Sequence, residues 1–528
     1  MRKKILLLCS LFILLCSFVL INRLQKSNFN VFNTVSSDEA QMLQNQLERK
    51  DELSFTALLC NDIRVPFDDA SSTFYVPLNM ETESWEKLEF ISGQPEYQVI
   101  FGEDVTERNK QEVISKGERF EITVFDQNFW APYYIVFTGL PIIDLATNEG
   151  FYSVEEITGT AVFYDVGFSV HGTVESEYNA HIRGNTSRMF PKKGYKLNLT
   201  YRNANGIEEG NKLSLFGMRK DDDWMLHALY NDDTKIRDRL SMEIWDEFGT
   251  VNGPKMTYVE VFADNQYCGL YGLMEPVDAK QLNLSEKDYL YKRSNPGSIF
   301  DKYFEFVYAT DPYAEVEGFE IKAGEMTEEA WEPMALLSDV LSTPKEKLKD
   351  HHFTLVNEDS AMRIWLFLQI ITGHDHTAKN VFYIAKDTED NKYECEFYFA
   401  PWDMDLTWGY VSVGEINPVY SAFEMDTLDN RVYWETGDWL IESNRKGTRE
   451  KMQQLYTELR EEQLMNEVIE EKILELDHQL RDSGAFDRDK GRWPESVHAE
   501  NCNTLLEYAK GRLTFLDKAL YDFDLFEE

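Results

Sequence analysis

Between residues 54 and 138, short apolar runs at 73–78, 97–101, 120–125 and 133–137 alternate with polar, turn-like segments. Runs of that length, rich in β-branched and aromatic residues, predict a small β-rich module. Farther along, Tyr195-Lys196-Leu197-Asn198-Leu199 alternates strictly, so Tyr195, Leu197 and Leu199 share one strand face and Lys196 takes the other. Two more alternating segments, 257–263 and 266–274, flank Asp264-Asn265, a pair suited to a tight hairpin turn. The period lengthens between 234 and 248, where Ile236, Leu240, Ile244 and Phe248 recur every fourth residue. Asn231-Asp232-Asp233 before that segment and Gly249 after it are helix start and stop signals. Beyond the hairpin, Glu275-Pro276-Val277-Asp278 breaks the strand ahead of a short helical segment at 280–284.

The N-terminus has its own pattern. Met1-Arg2-Lys3-Lys4 precedes an apolar run over residues 5–21, with Arg23 and Lys26 beyond it. The run is near the lower limit for a spanning helix, and no small-residue cleavage site follows it. Cys9 and Cys16 are preceded by Leu8 and Leu15, where a lipoprotein signal has a small residue. The expectation is a signal-anchor in residues 1–26, ahead of a cleaved signal, with the basic end cytoplasmic and the rest of the chain outside. A cleaved signal would make the protein secreted. Residues 27–53 are polar and read as a stalk, helical near 38–52.

Composition narrows the function. With 53 basic against 94 acidic residues, the formal charge of −41 argues against nucleic acid as a partner. It makes a basic acceptor the sensible first one to test. Cys60, Cys268, Cys395 and Cys502 are widely spaced, so they form neither a zinc pattern nor a legible disulfide framework, and buried thiols are expected.

Chemistry concentrates between residues 363 and 409. Ile364-Trp365-Leu366-Phe367-Leu368 leads into Gly373-His374-Asp375-His376-Thr377-Ala378-Lys379-Asn380, and Phe397-Tyr398-Phe399-Ala400-Pro401 ends in Trp402-Asp403-Met404-Asp405. Carboxylates flanked by such apolar segments need a partner or a cation. The spacing from Asp375 to Asn380 is that of a kinase catalytic loop, in which the Asp takes the acceptor's proton and the Asn holds Mg²⁺. Asp403 and Asp405, separated by one residue, share a strand side and suit joint metal binding. His374 and His376 offer a competing transition-metal reading. Upstream, Arg183-Gly184-Asn185-Thr186-Ser187 is a loop whose backbone N–H groups suit phosphate, though it matches no Gly-rich consensus. Glu243 and Glu247 fall near the apolar stripe of their helix, and a glutamate facing inward beside a strand lysine such as Lys196 is the ion pair that protein kinases use to position phosphates. Glu275, at the strand break, marks the hinge a bilobal nucleotide enzyme would use. No G-x-S-x-G, H-E-x-x-H or Walker A sequence is present.

Taken in order, Arg183 to Ser187 with Lys196, Asp223-Trp224-Met225-Leu226, Ile236-Arg237-Asp238-Arg239-Leu240, Tyr267-Cys268-Gly269-Leu270-Tyr271 to Glu275, His374-Asp375 with Asn380, and Pro401-Trp402-Asp403-Met404-Asp405-Leu406-Thr407-Trp408-Gly409 resemble the CotH family of atypical protein kinases. The resemblance runs over about residues 139–520, including the helix that carries Arg512. It implies an α+β, reduced kinase-like bilobal domain over 139–521, preceded by the β-rich module at 54–138 and the membrane segment. It also implies ATP and Mg²⁺ as cofactors and serine of a protein as acceptor. On this chain Asp375 would be the base and Lys196 would steady the phosphates, with Arg183, Ser187, Glu247 and Glu275 around the nucleotide. Asn380, Asp403 and Asp405 would hold the metal. The sequence departs from conventional kinases in having His374-Asp375-His376 and no D-F-G. The competing function is a non-catalytic surface or matrix-binding protein that keeps a kinase-like shell.

Overall fold

The computed structural model describes residues 32–526 apart from positions 56, 149, 152–155, 168–171, 185, 414–419 and 446. The N-terminal apolar run lies outside the described residues. Among the described residues, no helix is long and apolar enough to cross a membrane. The chain is a mixed α+β protein built around three sheets.

The first sheet belongs to the N-terminal module. After helix α1 (Ser37–Gln44), strands β1 (Thr73–Pro77), β2 (Gln98–Phe101), β3 (Arg119–Phe125) and β4 (Phe129–Thr138) pair in the order β1-β4-β3-β2. The stalk expected over 27–53 is corrected in its described part. Phe32 is 1% exposed and packs against Trp85, Phe90, Phe101 and Phe137, and Glu48–Arg49 pairs with β4. One aromatic buried in another element's core is enough to fix a polar segment, because each large ring removes well over a hundred square ångströms from water. Helix α1 is eight residues, shorter than expected, with Ser36 and Glu39 closing a capping box.

The second sheet is a closed ring. Strands β5 (Ile142–Thr147), β6 (Ile157–Tyr164), β7 (Thr173–Arg183), β8 (Gly194–Arg202), β9 (Asp223–His227), β10 (Met256–Ala263) and β11 (Gln266–Met274) pair as β7-β6-β5-β10-β11-β9-β8, and β8 returns to β7. All pairings are antiparallel except β5 with β10. Alternation decides what fills the barrel: Tyr195, Leu197, Leu199, Trp224, Leu226, Val259 and Val261 form its interior. Lys196, paired across the strands with His181 and Met225, faces outward. The hairpin turn at Asp264-Asn265 has φ of 50° and 58°, the left-handed pair a two-residue turn demands. The module docks on the barrel's outside through Tyr75, stacked on Tyr267 at 5.6 Å and tilted against Phe262 at 4.9 Å.

Helix α2 (Arg237–Phe248) links β9 to β10. It begins three residues later than the apolar period suggests, because Asp232 is occupied elsewhere: its carboxylate accepts from the backbone N–H groups of Thr234 (2.9 Å) and Arg237 (2.8 Å) and pairs with the buried Arg237 guanidinium. The chain leaves the barrel after Met274 and reaches the third sheet at Tyr289. That sheet joins β12 (Tyr289–Arg293), β13 (Phe319–Ala323), β14 (Val381–Asp387) and β15 (Cys395–Pro401) in the antiparallel order β13-β12-β14-β15. Helix α3 (Glu358–Ile371), buried nearly throughout, packs against β15 and delivers the 373–380 loop. The four described cysteines outside the N-terminal run are buried.

The C-terminal helices return to both halves. Helix α4 (Asn466–Asp482) precedes α5 (Ala485–Arg492), which lies on β11, and α6 (Asn503–Ala519) packs on α3. Arg512 on α6 donates to the carbonyls of Gln369 (2.7 Å) and Leu428 (2.6 Å). On α5, Asp489 accepts from the fully buried Lys192 Nζ (2.6 Å) and from Leu270 N–H (2.9 Å), and Lys192 also donates to Leu270 O. Gly269 sits at φ +107°, and a Cβ there would lie 2.5 Å from Asp489 Oδ1. The Cys268-Gly269-Leu270 motif is therefore a seat for α5, made by close approach.

Candidate active site

Three chain segments converge where the barrel meets the third sheet. Helix α3 ends at Thr372 in the left-handed region (φ 50°), and the chain turns through a 3-10 turn, His374–Thr377, carrying Asp375. Asn380 donates its backbone N–H to Arg293 O and accepts at its own carbonyl from Trp402 N–H, both at 3.0 Å. Those two bonds bring the start of β14 beside the ends of β12 and β15. Asn380 and Asp403 both take left-handed backbone conformations, φ 62° and 60°, which Asn and Asp tolerate best among residues with a side chain. Asp375 Oδ2 accepts from Asn380 Nδ2 at 2.8 Å and pairs with Lys379 Nζ at 2.9 Å. His376 is fully buried beneath the turn, and neither it nor His374 belongs to the metal-competent cluster among the described residues.

That cluster lies next door. One ligand atom each from His227, Asp403 and Asp405 fall within 4.8 Å of one another. His227 ends β9 on the outward face that also carries Lys196, since parity along the strands puts Met225 and His227 together. Asp238, in the first turn of α2, accepts from Met404 N–H at 3.1 Å and holds Oδ2 3.3 Å from His227 Nδ1. Arg183 and Lys292 lie over the Trp402 ring, 5.3 and 5.7 Å from its centre. Trp402 thus packs beneath two cations, and Trp408 is fully buried, donating to Ser241 at 3.0 Å.

The charges are unequally treated. Burial pushes the Asp403 carboxyl up, but attraction to Arg183, His227, Lys292 and Lys379 outweighs it and holds the group below the usual carboxylate range. Asp405 goes the other way: burial, then repulsion by Asp403, Asp238 and Asp375, raises it well above that range. Burial and repulsion by Asp403 likewise bring Asp238 to about 7. Burial and the nearby Arg183 lower His227 to about 4, so its ring is neutral near pH 7. A site that crowds carboxylates until one must hold a proton has the donor chemistry of a divalent cation site. Asp403, Asp405 and the amide oxygen of Asn380, whose nitrogen is used by Asp375, are the hard oxygen donors Mg²⁺ takes.

The remaining expected residues are scattered more widely. Lys196 pairs loosely with Asp223 at 3.5 Å on the half-exposed outer face of the barrel. Arg183, by contrast, reaches the cluster. Ser187 sits in a 3-10 turn, Thr186–Met189, and its Oγ occupies the space a Cβ on Gly184 (φ +98°) would need. Glu247 does not face Lys196: it is exposed and pairs with Lys472 of α4 at 2.7 Å, while Glu243 pairs with Arg239 on its own helix. The expected Lys–Glu pair is corrected on this point. A stripe recurring every four residues drifts around the helix, so a position near its edge at one end faces another element at the other. Glu275 is buried and accepts from the backbone N–H groups of Arg219 (3.0 Å) and Lys255 (3.2 Å). It pins loops at the barrel exit. His227, Asp238, Lys292 and Lys379 were not singled out from sequence; strand parity with Lys196 was the one signal that pointed at His227.

Against known proteins, the family model described as CotH kinase protein matches residues 180–516. Inner spore coat protein H of Bacillus subtilis (strain 168) is 25% identical over 349 residues, covering 63% of this chain and 84% of the relative. The matched span contains the 373–380 turn, the strand end at Asp403 and Asp405, and both His227 and Asp238.

Proposed function

This chain belongs to the CotH kinase protein family, and we propose that it transfers the γ-phosphoryl group of ATP to serine of a protein acceptor, outside the cytoplasm and tethered by its N-terminal apolar segment. The observation that carries the reading is the contact of Asp375 with Asn380 and Lys379 at the edge of the His227–Asp403–Asp405 cluster. A binding shell has no need to hold four carboxylates in mutual repulsion.

On this reading the barrel and the third sheet are the two lobes of a reduced kinase-like fold, and the nucleotide lies between them. Asp375 Oδ2 is engaged by Lys379 and Asn380, which leaves Oδ1 to accept the proton of the serine hydroxyl. Lys379, half-buried, keeps a positive charge beside that carboxylate: burial disfavours the charge, but Asp375, Asp403 and Asp405 more than restore it. Arg183, which lies over the Trp402 ring and exerts the largest attraction on Asp403, is the principal phosphate-steadying charge, with Lys196 on the same outer face of the neighbouring strand. Asp403, Asp405 and Asn380 would hold Mg²⁺, whose contribution when bound is to neutralise charge on the phosphate oxygens. Positioning and electrostatics then carry the rate, as phosphoryl transfer generally demands. A basic, serine-containing acceptor complements the acidic surface, and nucleic acid does not.

The test is direct. Full-length protein incubated with γ-labelled ATP and Mg²⁺ should phosphorylate itself or a Ser/Lys-rich peptide. Asp375→Asn, nearly isosteric, should keep folding and ATP–Mg²⁺ binding while transfer falls about 100-fold or more, as loss of a general base does. Transfer by the variant at the wild-type rate would overturn the assignment of Asp375. No transfer by wild type to any acceptor would favour the non-catalytic surface protein.

A further inference from the structure

We infer that His227 is a metal ligand and makes this site select a first-row divalent transition ion over Mg²⁺. The inference deepens the kinase reading and rests on it for the site's purpose, though not for its measurement. His227 brings a ring nitrogen within 4.8 Å of carboxylate oxygens of both Asp403 and Asp405. An Mg²⁺ site is ordinarily built from oxygen donors alone, carboxylate and phosphate with retained waters. An imidazole among them favours the borderline ions, which accept nitrogen readily and bind more tightly in a mixed N/O site.

Two further observations support a ligating role. His227 Nδ1 is shut off from solvent, and Asp238 Oδ2 lies 3.3 Å from it. Ligating histidines characteristically hand their second ring N–H to a carboxylate, which fixes the tautomer and strengthens the ligand. Asp238 is itself held in place by Met404 N–H, and Met404 stands between Asp403 and Asp405. The backbone that presents the two carboxylates therefore also positions the carboxylate behind the histidine. Asp238 is the positioning residue of this set, and His227 would join Asp403, Asp405 and Asn380 as a ligand, with phosphates and water completing the shell.

Mn²⁺ is the probe, because it accepts both oxygen and nitrogen and reports its own ligands by electron paramagnetic resonance. Full-length protein without nucleotide should bind Mn²⁺ at least ten times more tightly than Mg²⁺ in competition. Its pulsed spectrum should carry ¹⁴N modulation from a coordinated imidazole. His227→Gln offers an oxygen in place of the ring; the preference for Mn²⁺ should drop about tenfold or more, and the modulation should vanish. Asp238→Asn should weaken Mn²⁺ binding about tenfold while leaving the modulation in place. A wild-type Mn²⁺ complex lacking ¹⁴N modulation would overturn the inference without any variant having to fold. An unchanged Mn²⁺/Mg²⁺ ratio in a folded His227→Gln protein would overturn it as well. These readouts need no phosphoryl transfer, so selective Mn²⁺ binding by an inactive protein would count against the kinase reading alone.

Discussion

Two charge clusters lie close to the barrel, one fully buried and one half-buried, and they are built on opposite rules. In the first, under α5, Asp489 is matched by Lys192, by the N–H of Leu270 and, 3.4 Å away, by His498. Burial would raise Asp489, but Lys192 and Lys235 with the hydrogen bonds hold it far below the usual carboxylate range. In the second, Asp403, Asp405 and Asp238 crowd together around a neutral histidine, and only Asp403 is depressed. A buried cluster whose charges cancel fixes structure. One left with an excess of carboxylate is poised for a cation that the chain itself does not supply.

The largest effect that can test this contrast is on the matched side. Asp489→Asn leaves Lys192 buried with its charge uncompensated, and Lys192 is already lowered by burial against the pull of Asp489. Denaturant unfolding should show a loss of about 3–5 kcal/mol, the usual outcome of breaking a buried pair from one side. The pH dependence has a definite sign. A carboxylate whose folded value is depressed contributes stability that is complete above its unfolded value, about 3.9, and lost as pH falls through the folded value. Wild type should therefore lose this contribution only in strong acid, and the gap between wild type and Asp489→Asn should close there. A loss under about 1 kcal/mol at neutral pH would mean that the cluster is not what holds α5 on β11.

On the unmatched side the sign reverses. Asp405→Asn removes a repelling carboxylate, so in chelator the protein should be at least as stable as wild type. With ATP and Mg²⁺ present at about 100 times the wild-type dissociation constant, wild type should gain about 2.7 kcal/mol of apparent stability. Asp403→Asn and Asp405→Asn should lose most of that gain, measured by thermal shift at fixed ligand concentration. If both folded variants keep it, these carboxylates are structural and the contrast between the two clusters fails.

Much of this arrangement was legible because it is local. The alternation at Tyr195, Leu197 and Leu199, the hairpin at Asp264-Asn265 and the apolar period of α2 depend on neighbours a few residues away. Asp375, Asn380 and Asp403 were legible for a related reason: a polar group at the end of a buried element needs an explanation. Barrel closure was not, since it depends on β8 meeting β7 on one side and β5 meeting β10, more than a hundred residues on, in parallel. His227 and Asp238 escaped because only folding brings β9 and α2 to the strand end at Asp403. Phe32 was misread within a polar stretch because a single ring in another element's core leaves no periodicity. Glu247 was misread because a helical-wheel angle says which side of a stripe a residue lies on, and not which element waits there.

The smallest predicted effect concerns that residue and sharpens the comparison from outside both clusters. Glu247 and Lys472 form a single ion pair at 2.7 Å with the glutamate side chain 36% exposed. Exposed pairs of this kind contribute about 0–1 kcal/mol, because water screens the charges and ordering two long side chains opposes the gain. Glu247→Gln should accordingly shift unfolding by less than about 1 kcal/mol and leave ATP–Mg²⁺ stabilisation and any phosphoryl transfer within about twofold of wild type. Salt should weaken the small stability difference further, since both partners lie within reach of counterions. A tenfold or greater fall in transfer, with the fold intact, would place Glu247 in the phosphate-positioning machinery after all. That result would require α2 to rotate toward Lys196 when nucleotide binds, and the charge accounting of the cleft would then have to include a fifth carboxylate.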